Sequence, residues 1–312
     1  MDSIHRDLDT WAREAAPGQQ AFRQAVHLVL TAITSDLGLR ETMVMKGGLL
    51  MAIRYHSHRF TKDLDFSTSK TRVEIDPDTI RQKLERSLAM AVANSDYNLD
   101  CRIQRCRFNP PEEDAQFPNL ELKIGYAFKG SKEHSRLLHG RASATIEIDF
   151  NLNEPIIDIE TLDLGEGLFL RAYALSDLIA EKLRSLMQQT KRNRYRRQDI
   201  YDLRLLLELG VDVETRRAIL TNLIKKSQSR GITPTPDSLA DPEIRRRAQR
   251  DYPTLADEVE GMLPDFDESY NQVEAFYRAL PWDGQTQRSG RSRASRVWRF
   301  AANEKAARIG RL

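Results

Sequence analysis

Two cysteines, Cys101 and Cys106, are all that 312 residues contain. That is too few for a disulfide framework and too few for a four-ligand zinc site, so reduced thiols in a cytoplasmic setting are expected. Long apolar runs are missing too. The richest stretch, Ala25 to Ile33, is interrupted by His27 and Thr31 and falls short of the roughly 20 apolar residues that span a bilayer. The first residues carry no apolar signal core, so no membrane association is expected. Neither a Gly-x-Ser-x-Gly elbow nor a His-Glu-x-x-His pair occurs, which argues against serine hydrolase and zincin chemistry. The glycines of Gly125 to Lys132 are followed by a serine and only then a lysine, with no clear helix behind them, which makes a poor phosphate loop. His56 and His58 have no matched third ligand and read as surface residues. No internal repeat is present.

With 40% hydrophobic residues, the chain can fill real cores, and its length suits about two domains of roughly 150 residues each. Net charge is only +2, but it is unevenly spread. From residue 285 onward there are eight basic residues and one acid, a net +7, so the preceding residues are net −5. A second basic run, Lys182, Arg184, Lys191, Arg192, Arg194, Arg196 and Arg197, has no acid between its ends. Either run suits a polyanion, although a charge run is also what a solvated face looks like.

Helical spacing of Ile4, Leu8 and Trp11, and of Phe22, Val26, Val29, Leu30 and Ile33, predicts two opening helices. Another helix is expected over Ile80 to Val92. Extended segments are expected near residues 43 and 64 and over Tyr97 to Phe108, Leu120 to Phe128 and Ala144 to Asn151, bounded by turn residues. After Ala174 only helical periodicity remains: Leu175 to Gln189, Asp199 to Leu209, Val213 to Lys226, Leu239 to Gln249 and Asp265 to Leu280. The expected class is α+β, a mixed sheet with flanking helices over 1–174, then a helical domain over 175–284 and a basic tail over 285–312, helical from Ser295.

The most informative segment runs from Met43 to Phe66 and parses as strand, glycine turn, short helix, basic loop and strand. Side chains alternate faces along a strand, so Asp63 and Asp65 point one way and Leu64 and Phe66 the other. In Ala144 to Asn151, Glu147, Asp149 and Asn151 likewise share a face. If the two strands are neighbours, Asp149 completes a cluster of three acids, and such a cluster is tolerated when a hard cation such as Mg²⁺ neutralises it. Solvated strand faces also carry acids, so the pair alone is weak. Gly47 and Gly48 open the short helix, where free N–H groups and close backbone approach suit phosphate. Lys182 lies four residues from both Leu178 and Leu186, inside an apolar stripe, and so needs an anionic partner or a path to solvent. Asp199 shares a helix face with Leu203 and Leu206, near a helix start where the dipole alone favours a carboxylate.

Taken together, Lys46 to Gly48, Arg59 to Phe66, Ile148 with Asp149, Glu181 to Leu183, and Arg197 to Leu203 resemble the AbiEii/AbiGii toxin nucleotidyltransferases of the DNA polymerase beta-like superfamily. The resemblance implies an N-terminal α+β catalytic domain and a helical C-terminal part. It implies an Mg²⁺-dependent toxin of a toxin–antitoxin or abortive-infection system that moves a nucleotide from NTP to RNA, with the 3′ end of tRNA the expected acceptor and an antitoxin encoded by a neighbouring gene as partner. Gly47 and Gly48 would hold triphosphate, Asp63 and Asp65 would bind Mg²⁺, Lys182 would contact phosphate, and Asp199 matches the acid of the last block. Asp149 is inferred here as the third metal-side carboxylate. Leu49 departs from the Ser or Thr that often follows the glycines. Transfer to a small-molecule or protein hydroxyl, and a non-catalytic NTP- or antitoxin-binding module, are the competing readings.

Overall fold

The computed structural model describes residues 7–283. Ile4 of the first expected helix and the expected basic tail, including its helix from Ser295, lie outside the described residues.

Three helices open the chain where periodicity predicts two: α1 (Leu8–Arg13), α2 (Gln20–Ser35) and α3 (Leu37–Thr42). The extra one, α3, is too short to display a helical period, and it is announced by its cap: Asp36 accepts from the Leu39 N–H at 2.9 Å. There follow β1 (Val44–Lys46), α4 (Gly47–Arg54), β2 (Asp63–Ser67), α5 (Pro77–Asn94), β3 (Leu99–Asn109), β4 (Asn119–Phe128), α6 (Lys132–Leu138) and β5 (Ala144–Asn151). A hairpin not expected from the sequence, β6 (Ile159–Asp163) and β7 (Phe169–Tyr173), completes the sheet. The remainder is helical: α7 (Leu175–Arg192), α8 (Arg197–Glu208), α9 (Val213–Ser229), α10 (Pro242–Gln249) and α11 (Phe266–Arg278). Helix α10 begins later than expected because Asp241 caps it and Pro242 takes the first helical position, leaving Leu239 in a separate 3₁₀ turn.

The seven strands lie in the order β3-β4-β5-β2-β1-β7-β6. β2–β5 and β1–β7 are parallel and the other pairs antiparallel, so the expected mixed sheet of an α+β fold is present. One face is apolar: Leu64 and Phe66 from β2 and Ile146, Ile148 and Phe150 from β5 are fully buried, with α2 packed against β5 and its neighbours. Alternation sends the acids of β2 and β5 to the opposite face, toward a cleft also lined from α7 and α8. One hydrophobic cluster continues from Leu8 to Leu280 through sheet and helices alike.

Candidate active site

The cleft, about 360 Å³ in volume, starts where β1 meets α4. Lys46 ends the strand directly opposite Asp65 of β2. Gly47 then turns the chain with φ +76°, a region open to glycine but strained for other residues. Space forbids a side chain as well, because a Cβ at Gly47 would lie 2.0 Å from Asp65 Oδ2. The Asp65 carboxylate therefore rests against the glycine backbone. Gly48 is crowded in turn, a Cβ there lying 3.0 Å from the Arg59 guanidinium and 3.1 Å from Thr61 Cγ2.

Parallel pairing of β2 with β5 sets Asp63 beside Glu147 and Asp65 beside Asp149. Asp63, Asp65 and Asp149 thus line one cleft from adjacent strands, and Asp149 is oriented by Asn119, whose Nδ2 donates to Oδ1 at 2.7 Å. Burial, then Asp149 and Glu147, push the Asp63 carboxyl above its ordinary range. Burial pushes Asp65 up to about 6; Lys46 opposes this, while Asp149 and Asp63 add to it. Acids whose ionisation is opposed by burial and by one another are groups that a hard dication would stabilise, and oxygen donors are what Mg²⁺ takes. Among the described residues no three His, Cys, Asp or Glu side chains are gathered closely enough to hold a metal as they stand. Asp63, Asp65 and Asp149 supply oxygen donors of the kind Mg²⁺ takes.

Across the cleft Lys182, 7% exposed, has the anionic partners that its place in an apolar stripe demands. Nζ donates to Asp202 Oδ2 at 2.6 Å and to Asp199 Oδ1 at 3.3 Å. Burial pulls the Lys182 ammonium down, and Asp202 and then Asp199 more than restore it, leaving it above its usual value. Asp202 is fully buried and also takes two bonds from Arg59, at 3.2 and 3.1 Å. Burial raises its pKa, but Lys182 and Arg59 outweigh that and hold it below the ordinary carboxylate range. Asp199 keeps Oδ2 buried without a partner.

Sequence reasoning reached Gly47, Gly48, Asp63, Asp65, Asp149, Lys182 and Asp199, and all seven line this cleft. It assigned no role to Lys46, Arg59 or Asp202, which line it too. Asp202 follows Asp199 by three positions, a helical spacing that places both on the side facing Lys182, and this was the signal available. Arg230, which caps the end of α9, also reaches the cleft, and no local pattern marks it. Leu49 is 2% exposed within the hydrophobic cluster and does not line the cleft. The departure after the glycines is thus a core residue.

No curated protein matches the chain. Among solved structures, JHP933 of Helicobacter pylori aligns at 14% identity and TM-score 0.48, covering 90% of this chain and 100% of that one. A candidate nucleotidyltransferase of H. pylori aligns at 14% identity and TM-score 0.48 over 85% and 96% of the two chains. The family model described as nucleotidyl transferase AbiEii toxin, type IV toxin–antitoxin system, matches residues 28–277. The chain belongs to the AbiEii family of nucleotidyltransferase toxins.

Proposed function

We propose that this cleft transfers a nucleoside monophosphate from an NTP, with Mg²⁺, to a hydroxyl at the 3′ end of RNA, tRNA being the expected acceptor, and that this transfer is the toxic activity. The observation that carries the reading is the parallel β2–β5 register, which sets Asp63, Asp65 and Asp149 on one face beside the backbone of Gly47. Asp63, Asp65 and Asp149 would hold Mg²⁺, which when bound supplies Lewis-acid stabilisation of the charge developing at phosphorus. The backbone at Gly47 and Gly48 would receive the triphosphate, where glycine permits close approach. Lys182, fixed by Asp202 and Asp199, brings a positive charge to the far wall. The acceptor oxygen forms its bond to the α-phosphorus as the bond to the pyrophosphate oxygen breaks, and Asp149 is available to take the hydroxyl proton. An antitoxin from a neighbouring gene is the proposed partner of the system.

The test is incubation of purified protein with Mg²⁺, each α-labelled NTP in turn and total tRNA, read on a denaturing gel. Label is expected in an RNA band with wild type and absent with Asp65→Asn. Full transfer by Asp65→Asn would remove the metal assignment. Label appearing only in protein or a small molecule from cell extract would move the acceptor to another class.

A further inference from the structure

Three of the six arginines that line the cleft are neutralised by a neighbouring acid: Arg59 by Asp202, Arg184 by Glu181 and Arg230 by Glu154. Those at the end of α7 and in the loop to α8 are different. Arg192, Arg194 and Arg196 line the cleft, yet their side chains have neither an ion pair nor a hydrogen bond among the described residues. Burial, then Arg230, Arg194 and Arg184, push Arg192 below the usual arginine value, with Glu154 opposing them. Arg230, 8% exposed, adds an Nη1 that has no partner.

This loop is firmly built. Helix α7 closes on Asn193 in the left-handed region (φ 49°). Gln189, 1% exposed, pins both sides: its Oε1 accepts from the Arg196 N–H at 2.9 Å and its Nε2 donates to the Ile244 carbonyl at 3.2 Å. From α10, Arg247 donates to Asn193 Oδ1 at 3.0 Å. Beyond α10, Arg250 donates to the Tyr195 hydroxyl with its guanidinium carbon 4.3 Å from the ring centroid. Tyr195 is nevertheless 38% exposed. Residues 189–197 hold five cations and no acid, and residues 242–250 hold four arginines and one acid. The arginines of α10 are balanced, Arg245 by Asp267 and Arg246 and Arg247 by Glu243, so the uncompensated charge belongs to the loop, which α10 holds in place with the Tyr195 ring set among guanidinium groups.

Unpaired guanidiniums in a row with an exposed aromatic ring are the chemistry that holds a single strand of nucleic acid: phosphates take the charges and an unstacked base takes the ring. Tyr195 and Arg250 do not line the cleft, so an NTP held there has no use for them, while Arg194 and Arg196 on either side of Tyr195 do line it and join the ring to the cleft. We propose that the α7–α8 loop, held by α10, is the acceptor track, in which Arg192, Arg194 and Arg196 hold backbone phosphates of a single-stranded 3′ end and Tyr195 stacks an unpaired base. The proposal rests on the preceding reading only in taking the strand to be RNA.

The experiment measures binding, not transfer. A short 5′-labelled single-stranded RNA is titrated with wild type, Arg192→Gln/Arg194→Gln, Tyr195→Ala and Tyr195→Phe at several salt concentrations, and Mg²⁺–ATP is titrated separately. Loss of two phosphate contacts should flatten the slope of log affinity against log salt by about 1.4. Tyr195→Ala should weaken RNA binding by roughly tenfold, while Tyr195→Phe keeps the ring and the affinity. Mg²⁺–ATP binding should be unchanged in both Tyr195 variants, and a urea midpoint equal to wild type reports an intact fold for all of them. RNA affinity and slope equal to wild type in the double variant and in Tyr195→Ala overturn the proposal. So does a loss confined to Mg²⁺–ATP, which assigns these arginines to the triphosphate, and so does equal binding of polyglutamate insensitive to Tyr195→Ala, which assigns the surface to an acidic protein. RNA binding as expected without any nucleotidyl transfer would instead overturn the preceding reading and leave the track standing.

Discussion

A methyl group is all that separates Gly47 from its nearest substitute, and the site has no room for it. Gly47→Ala meets both the 2.0 Å approach to Asp65 and the positive φ. It is expected to lower stability by about 1–2 kcal/mol, read by urea unfolding, and to abolish transfer because Asp65 must move. Asp65 shows the opposite balance of stability and function. Its folded-state pKa, pushed up to about 6 by burial and neighbouring acids, lies above the unfolded value, so in metal-free buffer stability falls as pH rises from about 4 to 6. Asp65→Asn should remove that loss and raise stability at neutral pH by on the order of 2 kcal/mol while ending transfer. Unfolding midpoints at pH 4 and 7 decide this, and a variant less stable than wild type at pH 7 would contradict it. Asp202 has the other sign. With its pKa depressed by Lys182 and Arg59, it contributes stability above the unfolded carboxylate value and loses it as pH falls through the folded one. Asp202→Ala leaves Lys182 with Asp199 alone and Arg59 with only its longer contact to Glu258, and should cost about 3 kcal/mol in the same unfolding assay. The acids of the glycine side were legible because strand alternation is a rule of the local chain. Asp202 was less so, since its sequence shows a helix-start acid among leucines and not the two cations it serves.

At the scale of elements, the site depends on a register. A one-residue slip of β2 against β5 would turn Leu64 and Phe66 into the cleft and both aspartates into the core, and the fully buried Phe66 and Ile148 hold the correct pairing. Phe66→Ala should therefore cost about 3–5 kcal/mol and reduce transfer more than an equally destabilising change remote from the strand, such as a truncation in α11. The basic loop between α4 and β2 is fastened from the far end of the chain: Phe60 N–H donates to the Glu258 carbonyl at 2.7 Å and Glu260 N–H to the His58 carbonyl at 3.0 Å. Elements with strong periods, α2, α5 and α7, could be read from sequence to within a few residues. The β6–β7 hairpin could not. Its strands are five residues each, and β6 is an edge strand with Ile159, Glu160, Thr161 and Asp163 all outside the core. Nothing in their own composition outweighs the charged residues around them, and β7 gains its place from pairing with β1.

For the whole molecule, the acids and the unpaired arginines stand on different walls of one cleft although net charge is close to neutral. The uneven charge was visible in the sequence. That Arg230 joins Arg192 and Arg194 was not, because α9 is brought to α7 by tertiary contacts, apolar packing and the buried Lys226–Asp177 pair, that no local pattern announces. Deleting residues 285–312 removes a net +7 and should lower the salt steepness of RNA binding, measured by titrating labelled RNA at several salt concentrations. The sheet order has a further meaning for the cell that makes this toxin. Asp65 acquires its neighbour Asp149 only when β5 slots in beside β2, and Lys182, Asp199 and Asp202 come later still. A growing chain on the ribosome therefore carries its glycine turn and first acids long before the proposed centre is complete, and a message cut short before α8 is expected to yield a fragment without transfer.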